Sequence, residues 1–396
     1  MSSLKKIYQS FRTIHEKLPL PVKRFYAPLF KWRYANFFNI HLRTCFRTRF
    51  PLVLHEGFDQ EGNMFLLATA GLLARDQAYW QRLLFPKSCR QREMGIHWIW
   101  KLPKILKERG IACDLLVLHT HRLFQHLIPT LLKFQIPQWI EFERNLTEPL
   151  KGRKSQKNDR FSDVQRQIRK HRLSFEWTKD PAWLERFYHE MYVPYIQNRH
   201  GDEAFIYSFR TIEKVFPHSE ILFVKQGELP LGAILLKFEH KRVALQWLGI
   251  TDGKWIYVKL GVIGALYYFS MIEMKKRGYA VLSLGLSRPF LTDAITNFKI
   301  SFRARISSQE TRQPFYTVCP IRNSCALRRF LIANPFIFYP EKGKPARALF
   351  IDNENTFLET EMKSRFQNGY PEGLSGTHVF RVSPDVMPVL IRVVKN

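Results

Sequence analysis

Between residues 220 and 306 the apolar residues change their period, and that change constrains the chain more than any other feature. Residues 221–225, 233–238 and 243–249 are short β-rich runs. Glu228-Leu-Pro-Leu-Gly232 supplies a turn after the first, and the charged corner Glu239-His-Lys-Arg242 separates the other two. Three antiparallel strands fit this spacing. Residues 260–276 then read as one long apolar helix that closes on Lys275, Lys276, Arg277 and Gly278. Basic residues favour the carbonyl end of a helix dipole, and glycine lets the chain leave it. A buried strand at 280–284, a short helix at 292–299 and a last strand at 302–306 complete the unit.

A three-strand meander, a long helix, a strand, a short helix and a final strand resemble the core of the GNAT acyltransferase superfamily. The narrower resemblance is to the branch of Fem-type peptidoglycan-bridge aminoacyltransferases and CelD-like acyltransferases of polysaccharide biosynthesis. Asn297-Phe-Lys299 followed by Phe302-Arg303 occupies the place of that branch's Asn-x-x-Lys-type segment. Arg166-Gln-Ile-Arg169-Lys170-His-Arg172 and the helix expected at 184–199 resemble its basic helix and acidic-aromatic successor. The resemblance runs over residues 140–308. It implies a GNAT-like α+β fold with a mixed sheet, organised as two side-by-side GNAT-like halves of which the first is degenerate. It also implies transfer of an acetyl, longer acyl or aminoacyl group to an amine or hydroxyl of a cell-envelope or polysaccharide precursor. The co-substrate would be acyl-CoA, an acyl carrier protein thioester or an aminoacyl-tRNA, with no cofactor bound permanently.

One departure stands out. Many GNAT enzymes hold the coenzyme A pyrophosphate in a Gln/Arg-x-x-Gly-x-Gly/Ala loop, where backbone N–H groups and the helix dipole meet the phosphates. The corresponding turn here reads Tyr257-Val-Lys259-Leu-Gly261-Val-Ile-Gly264-Ala265, with glycines and a lysine but a different spacing. Lys259, Gly261 and Gly264 are candidates for donor binding; alternatively the glycines only let the helix pack closely.

The 62 Lys and Arg against 34 Asp and Glu leave a formal charge of +28, which implies an anionic partner: nucleic acid, anionic lipid or a phosphorylated substrate. The chain's 396 residues suffice for two or three domains. Cys45, Cys89, Cys113, Cys319 and Cys325 contain no CxxC pair, so neither a disulfide framework nor a zinc site is expected. Cys113, His119 and His121 cluster without a fourth ligand, which favours a structural role over a metal site. Lys5 and Lys6 precede no apolar h-region, so no signal peptide is expected. A soluble or peripheral cytoplasmic protein follows, at the inner face of the membrane if residues 1–38 act as a foot. In that segment basic residues interleave with aromatics, which suits either a membrane interface or a core-capping helix pair with a solvated basic face.

Residues 40–150 alternate strands and helices and are expected to form the degenerate half. Strands are expected at 43–49, 51–55, 114–118 and 138–142, and helices at 68–84, 98–108 and 121–133. A basic connector at 151–159 leads into the transferase-like unit, 159–319; residues 320–396 are expected to form a small α/β appendage.

Candidate site residues come from several elements. Arg166, Arg169 and Lys170 share one face of a helix expected at 161–173, either solvated or meeting substrate phosphate. Tyr195 and Arg199 share a face of the next helix, which Asp180-Pro181 caps. The polar stretch Asn198-Arg-His-Gly-Asp-Glu203 offers His200 and Glu203 for acid–base chemistry. Gln246 is polar in an apolar strand. Arg288 follows a strand's carboxyl end, where α/β sheets tend to bind ligands, and joins Asn297, Lys299 and Arg303 as a donor-binding candidate. No nucleophile elbow, Walker loop, His-Glu-x-x-His helix or dinucleotide fingerprint is present. The competing expectation is a non-catalytic RNA-binding module or membrane-surface scaffold, although no RNP- or KH-type motif accompanies it.

Overall fold

Strand, helix and strand follow one another because each run of apolar residues has two faces to bury. The computed structural model describes residues 49–102, 104–105, 113–119, 132–150, 160–201, 204, 206–307, 315–340, 344–352 and 371–395, with the His200 side chain excepted. Residues 1–38, all but Arg49 of the strand expected at 43–49, His121 and nearly all of its helix, the connector 151–159, Glu203 and residues 353–370 of the expected appendage lie outside them.

The described strands are β1 (Arg49–Phe58), β2 (Met64–Ala70), β3 (Arg90–Trp98), β4 (Leu115–Leu118), β5 (Phe134–Pro137), β6 (Ile140–Asn145), β7 (Leu173–Thr178), β8 (Ser219–Gln226), β9 (Leu229–Glu239), β10 (Arg242–Ile250), β11 (Val281–Ser287), β12 (Arg305–Ile306), β13 (Phe315–Pro320), β14 (Phe336–Phe338), β15 (Ala346–Ile351), β16 (Gly376–Arg381) and β17 (Val389–Lys395). They form three sheets, ordered β3-β1-β2-β4-β13-β5, β12-β6-β11-β10-β9-β8-β7 and β14-β15-β16-β17.

The second sheet holds the expected meander. β8 and β9 join through Gly227 and Glu228, with Gly227 at φ +59 opening a tight hairpin, so the turn precedes the Leu-Pro-Leu-Gly segment, which is strand. β9 and β10 meet at His240 and Lys241, the charged corner. β10 then pairs β11 in parallel, which requires a crossover, and the helix Val262–Lys276 provides it. Leu222, Val224, Ile234, Leu236, Val243 and Leu245 face that helix. Ile221, Phe223, Ala233, Leu235 and Trp247 face Leu184, Phe187 and Met191 on the opposite side. Burial on both faces is why these strands read as continuous apolar runs. The meander, the parallel crossover and the helix Ala294–Ser301 after β11 make this a GNAT-like α+β fold.

Several elements differ from expectation. Residues 68–70, expected to open the helix at 68–84, instead end the strand Met64–Ala70 that pairs with β1; Gly71 at φ +76 follows and the helix is Ala74–Leu84. Residues 90–98 form an edge strand, and the helix expected at 98–108 opens with a 3₁₀ turn, Ile99–Lys101, followed by α-helical Leu102, Lys104 and Ile105. The helix expected at 260–276 runs Val262–Lys276, and Gly261 at φ +90 separates it from a short helix, Trp255–Lys259, that precedes it. The strand expected at 302–306 keeps only Arg305 and Ile306, since Arg303 at φ +57 still belongs to the helix exit. The segments 40–150 and 159–319 each give the other a strand: β6 pairs β11, and β13 pairs β4 and β5.

Candidate active site

The cleft begins where two parallel strands part. β10 and β11 stay in register only from Arg242 opposite Val281 to Ala244 opposite Ser283. Beyond that, β10 carries an irregularity between Leu245 and Leu248 against β9, an extra residue that turns it aside. β11 carries its own between Ser283 and Gly285 against β6, with Gly285 at φ +77. The fork opens into a cleft of about 1130 Å³, walled by Leu245, Gln246 and Trp247 on one strand and Leu284, Gly285 and Leu286 on the other.

Lys299 lies in this fork. Asp293 caps its helix by accepting hydrogen bonds from the Ile295 and Thr296 N–H groups. The side chain is 2% exposed. Its Nζ donates to the Leu286 carbonyl at 2.7 Å, and a Cβ added at Gly285 would stand 3.8 Å from it. Among the described residues no carboxylate pairs with it. Burial pulls its pKa down to about 7, against the opposing pull of Asp293 and Glu141. An amine lining a cleft and poised near neutrality can take a proton or give one.

The other walls come from the helical layer. Tyr195 is buried, and its phenolic oxygen accepts from the Arg199 guanidinium at 2.6 Å. Tyr192 accepts from the Tyr207 N–H at 3.2 Å, and burial pushes its phenol up to about 12. Asp252 holds Lys254 at 2.8 Å on a turn that begins at φ +55. Arg160 places its guanidinium 5.3 Å from the Phe298 ring, with Nε bonded to nothing. Among the described residues of the lining, four basic side chains, Arg160, Arg199, Lys254 and Lys299, accompany one carboxylate, Asp252, in an apolar and aromatic setting.

Of the residues singled out from sequence, Gln246, Gly261, Gly264, Tyr195, Arg199 and Lys299 line this cleft. Gly261 and Gly264 also permit close packing: added Cβ atoms would lie 3.1 Å from Gln167 and 2.9 Å from Val164 on the helix Arg160–Lys170. Arg166, Arg169, Lys170, Lys259 and Asn297 are exposed outside the cleft lining. Arg166 pairs with Asp163 one turn away, and the Arg303 carbonyl accepts from Arg144. Arg288 also lies off the cleft lining: its guanidinium is clamped between the Tyr79 and Trp139 rings, 4.1 and 3.9 Å from their centroids, and bonded to buried Asp76. Trp139, Arg160, Asp252, Lys254 and Phe298, which no motif singles out, line the cleft from four separate stretches of chain. Only the change of period near 250 marks any of them. Among the described residues no group of three His, Cys, Asp or Glu could hold a metal, and burial pushes the Cys113 thiol up to about 12. None of the helices there is long and apolar enough to cross a membrane.

No family description and no curated protein matches the chain. Solved structures do show a likeness. The C-terminal domain (DUF2156) of a putative lysylphosphatidylglycerol synthetase from Agrobacterium fabrum is 13% identical, covering 69% of this chain and 86% of that one, with a TM-score of 0.33. FemX is 9% identical over 68% of this chain and 84% of its own, with a TM-score of 0.35. The ribosomal-protein-S18-alanine N-acetyltransferase from Escherichia coli is 16% identical over 38% of this chain and 96% of its own, with a TM-score of 0.26. Likenesses this distant carry no weight by themselves; the strand order and the parted strands identify the fold.

Proposed function

We propose that the chain is an acyltransferase that moves an acyl or aminoacyl group from a thioester or aminoacyl ester to an amine or hydroxyl. The observation that carries this reading is Lys299, buried in the fork between β10 and β11, with its amine on the Leu286 carbonyl. Acyl transfer by direct attack needs little more than a held nucleophile, a base for its proton and donors for the developing oxyanion. In this reading the acceptor attacks the acyl carbonyl carbon, neutral Lys299 takes its proton, and the thiolate or ribose oxygen leaves as the tetrahedral intermediate collapses. The resulting ammonium then returns a proton to the leaving group. Past Ala244, β10 no longer pairs with β11, which leaves its peptide edge there for the donor.

The cationic walls suit an anionic donor, whether acyl-CoA, an acyl carrier protein thioester or a charged tRNA, and a phosphate-bearing, lipid-linked acceptor of envelope or polysaccharide synthesis. Gly261 and Gly264, at the head of the long helix, and Arg160 are the groups nearest to hand for donor phosphate.

Thermal stabilisation by acetyl-CoA, longer acyl-CoAs, an acyl carrier protein thioester and charged tRNA tests this, together with thiol or free-tRNA release. The expected result is a salt-tolerant shift with one donor class, with turnover lost in Lys299→Ala. No shift with any donor, or a salt-labile shift that uncharged RNA reproduces, overturns it in favour of a binding module.

A further inference from the structure

Among the described residues β3 is an edge of the first sheet and has no buried side chain along its length. Its pairing with β1 sets Ile96 opposite Pro51 and Trp98 opposite Arg49, so these four side chains share one face. Trp100 stacks on Trp98, with ring centroids 4.7 Å apart and planes 18° apart, and the Arg49 guanidinium lies 4.8 Å from the Trp98 ring centre. Ile96 is 66% exposed and Trp100 50%. Exposed Lys101 and Lys104 follow directly and, with Arg49, supply the cations beside this face; Glu93, opposite Val53, shares it, while Arg90 and Arg92, opposite Glu56 and Leu54, stand on the other face. None of these residues lines the cleft.

We propose that this strip seats the protein on an anionic lipid surface. An exposed aliphatic side chain beside two indoles, flanked by cations, matches the layered chemistry of a bilayer interface, where acyl chain, glycerol and charged headgroup succeed one another over a few ångströms. Cations facing anionic headgroups supply the attraction, which added salt screens. The same geometry disfavours two other occupants. A nucleic acid would stack its bases on open aromatic faces, but the Trp98 ring is already engaged by Trp100 and Arg49. An added strand would need a regular edge, and Gly95 at φ +88, with the irregularity opposite it between Pro51 and Val53, breaks that ladder.

The test is co-sedimentation of the full chain with vesicles of phosphatidylcholine alone and of phosphatidylglycerol mixed with phosphatidylcholine, at low and high salt. Quenching of tryptophan fluorescence by lipids brominated on the acyl chain is read in parallel. The wild type is expected to bind the anionic vesicles, to release with salt and to be quenched. Ile96→Ser combined with Trp100→Ser is expected to lower partitioning by about tenfold, since apolar insertion carries part of the affinity. Trp247→Phe, on the cleft, is expected to bind as the wild type does. An Ile96→Ser/Trp100→Ser protein of unchanged melting temperature that partitions like the wild type would place any lipid contact elsewhere on the basic surface and overturn the proposal. Equal binding to neutral vesicles, or association only with RNA or with a second copy, would also overturn it.

Discussion

The Arg288 guanidinium lies 3.3 Å from the carboxylate of Asp76, a residue more than two hundred positions earlier in the chain, and closes the ring of contacts that joins the first sheet to the cleft. Asp76 is fully buried; it also accepts from the Gln138 amide at 3.1 Å, while Arg288 donates to the Gln138 carbonyl at 3.4 Å. The Arg288 carbonyl in turn accepts from Thr296 at 2.8 Å, one turn before Lys299 on the same helix. Removing the cation leaves a buried carboxylate with only half-exposed Arg75, 4.0 Å away, as counter-charge. Arg288→Ala is therefore expected to lower stability by about 3–5 kcal/mol in urea titrations. Arg288→Lys should recover only part, because an ammonium cannot fill the slot between two rings. A loss below about 1 kcal/mol would mean that the pair is solvated.

Lys299 makes stability depend on pH in a definite direction. Its folded pKa is about 7 and its ordinary value 10.5, so between these values the unfolded chain binds more protons. The penalty of burying this group is thus fully present below about pH 7 and disappears as pH rises through 10.5. Lys299→Met should be more stable than the wild type at pH 6, with the gap closing toward pH 10. A gap that stays constant with pH would show that the amine is solvated in the native state.

His55 acts at the acid end. It is buried, with Nε2 2.9 Å from the Thr69 hydroxyl and Nδ1 2.9 Å from the Gln81 amide, and desolvation lowers its pKa from 6.5 to about 4. Stability present above pH 6.5 should be lost as pH falls through about 4, by up to about 3 kcal/mol. His55→Gln should flatten that part of the pH–stability curve; a curve parallel to the wild type would exclude His55 as its source.

Gly249 meets the opposite wall of the sheet. An added Cβ would sit 2.6 Å from the backbone of Met191 and Tyr192, in the π-helical stretch Phe187–Tyr192. Neither backbone can yield cheaply, so Gly249→Ala is expected to cost about 3 kcal/mol or more. Gly278, at φ +81 in open space, should lose only about 1 kcal/mol as alanine, from backbone strain. Equal melting temperatures for the two variants would contradict the close approach.

Much of the fold was legible because local pattern and tertiary environment agree in the second sheet. Alternate residues of β8 to β10 meet two separate cores, and the basic residues with Gly278 end the long helix where the dipole and a positive φ require. The first sheet was less so. Residues 68–70 carry a helix-compatible composition, and only their pairing with β1 and β4 makes them strand. Cationic candidates divided for a related reason: charge along a sequence does not say which side of a helix meets a cavity. Lys299 and Asn297 lie two residues apart on one helix, the first buried in the fork and the second in solvent.

By itself, the sequence determined the meander, the parallel crossover and the net charge, since hydrophobic period, turn chemistry and ionisable residues act over a few neighbours. Tertiary structure alone decided which cations serve a site. Asp76, Trp139 and Tyr79 come from the other half of the chain to hold Arg288 away from the cleft, and Leu286 draws Lys299 into it. Burial and partnership, which set a charge's free energy, belong to contacts that no local stretch of sequence contains.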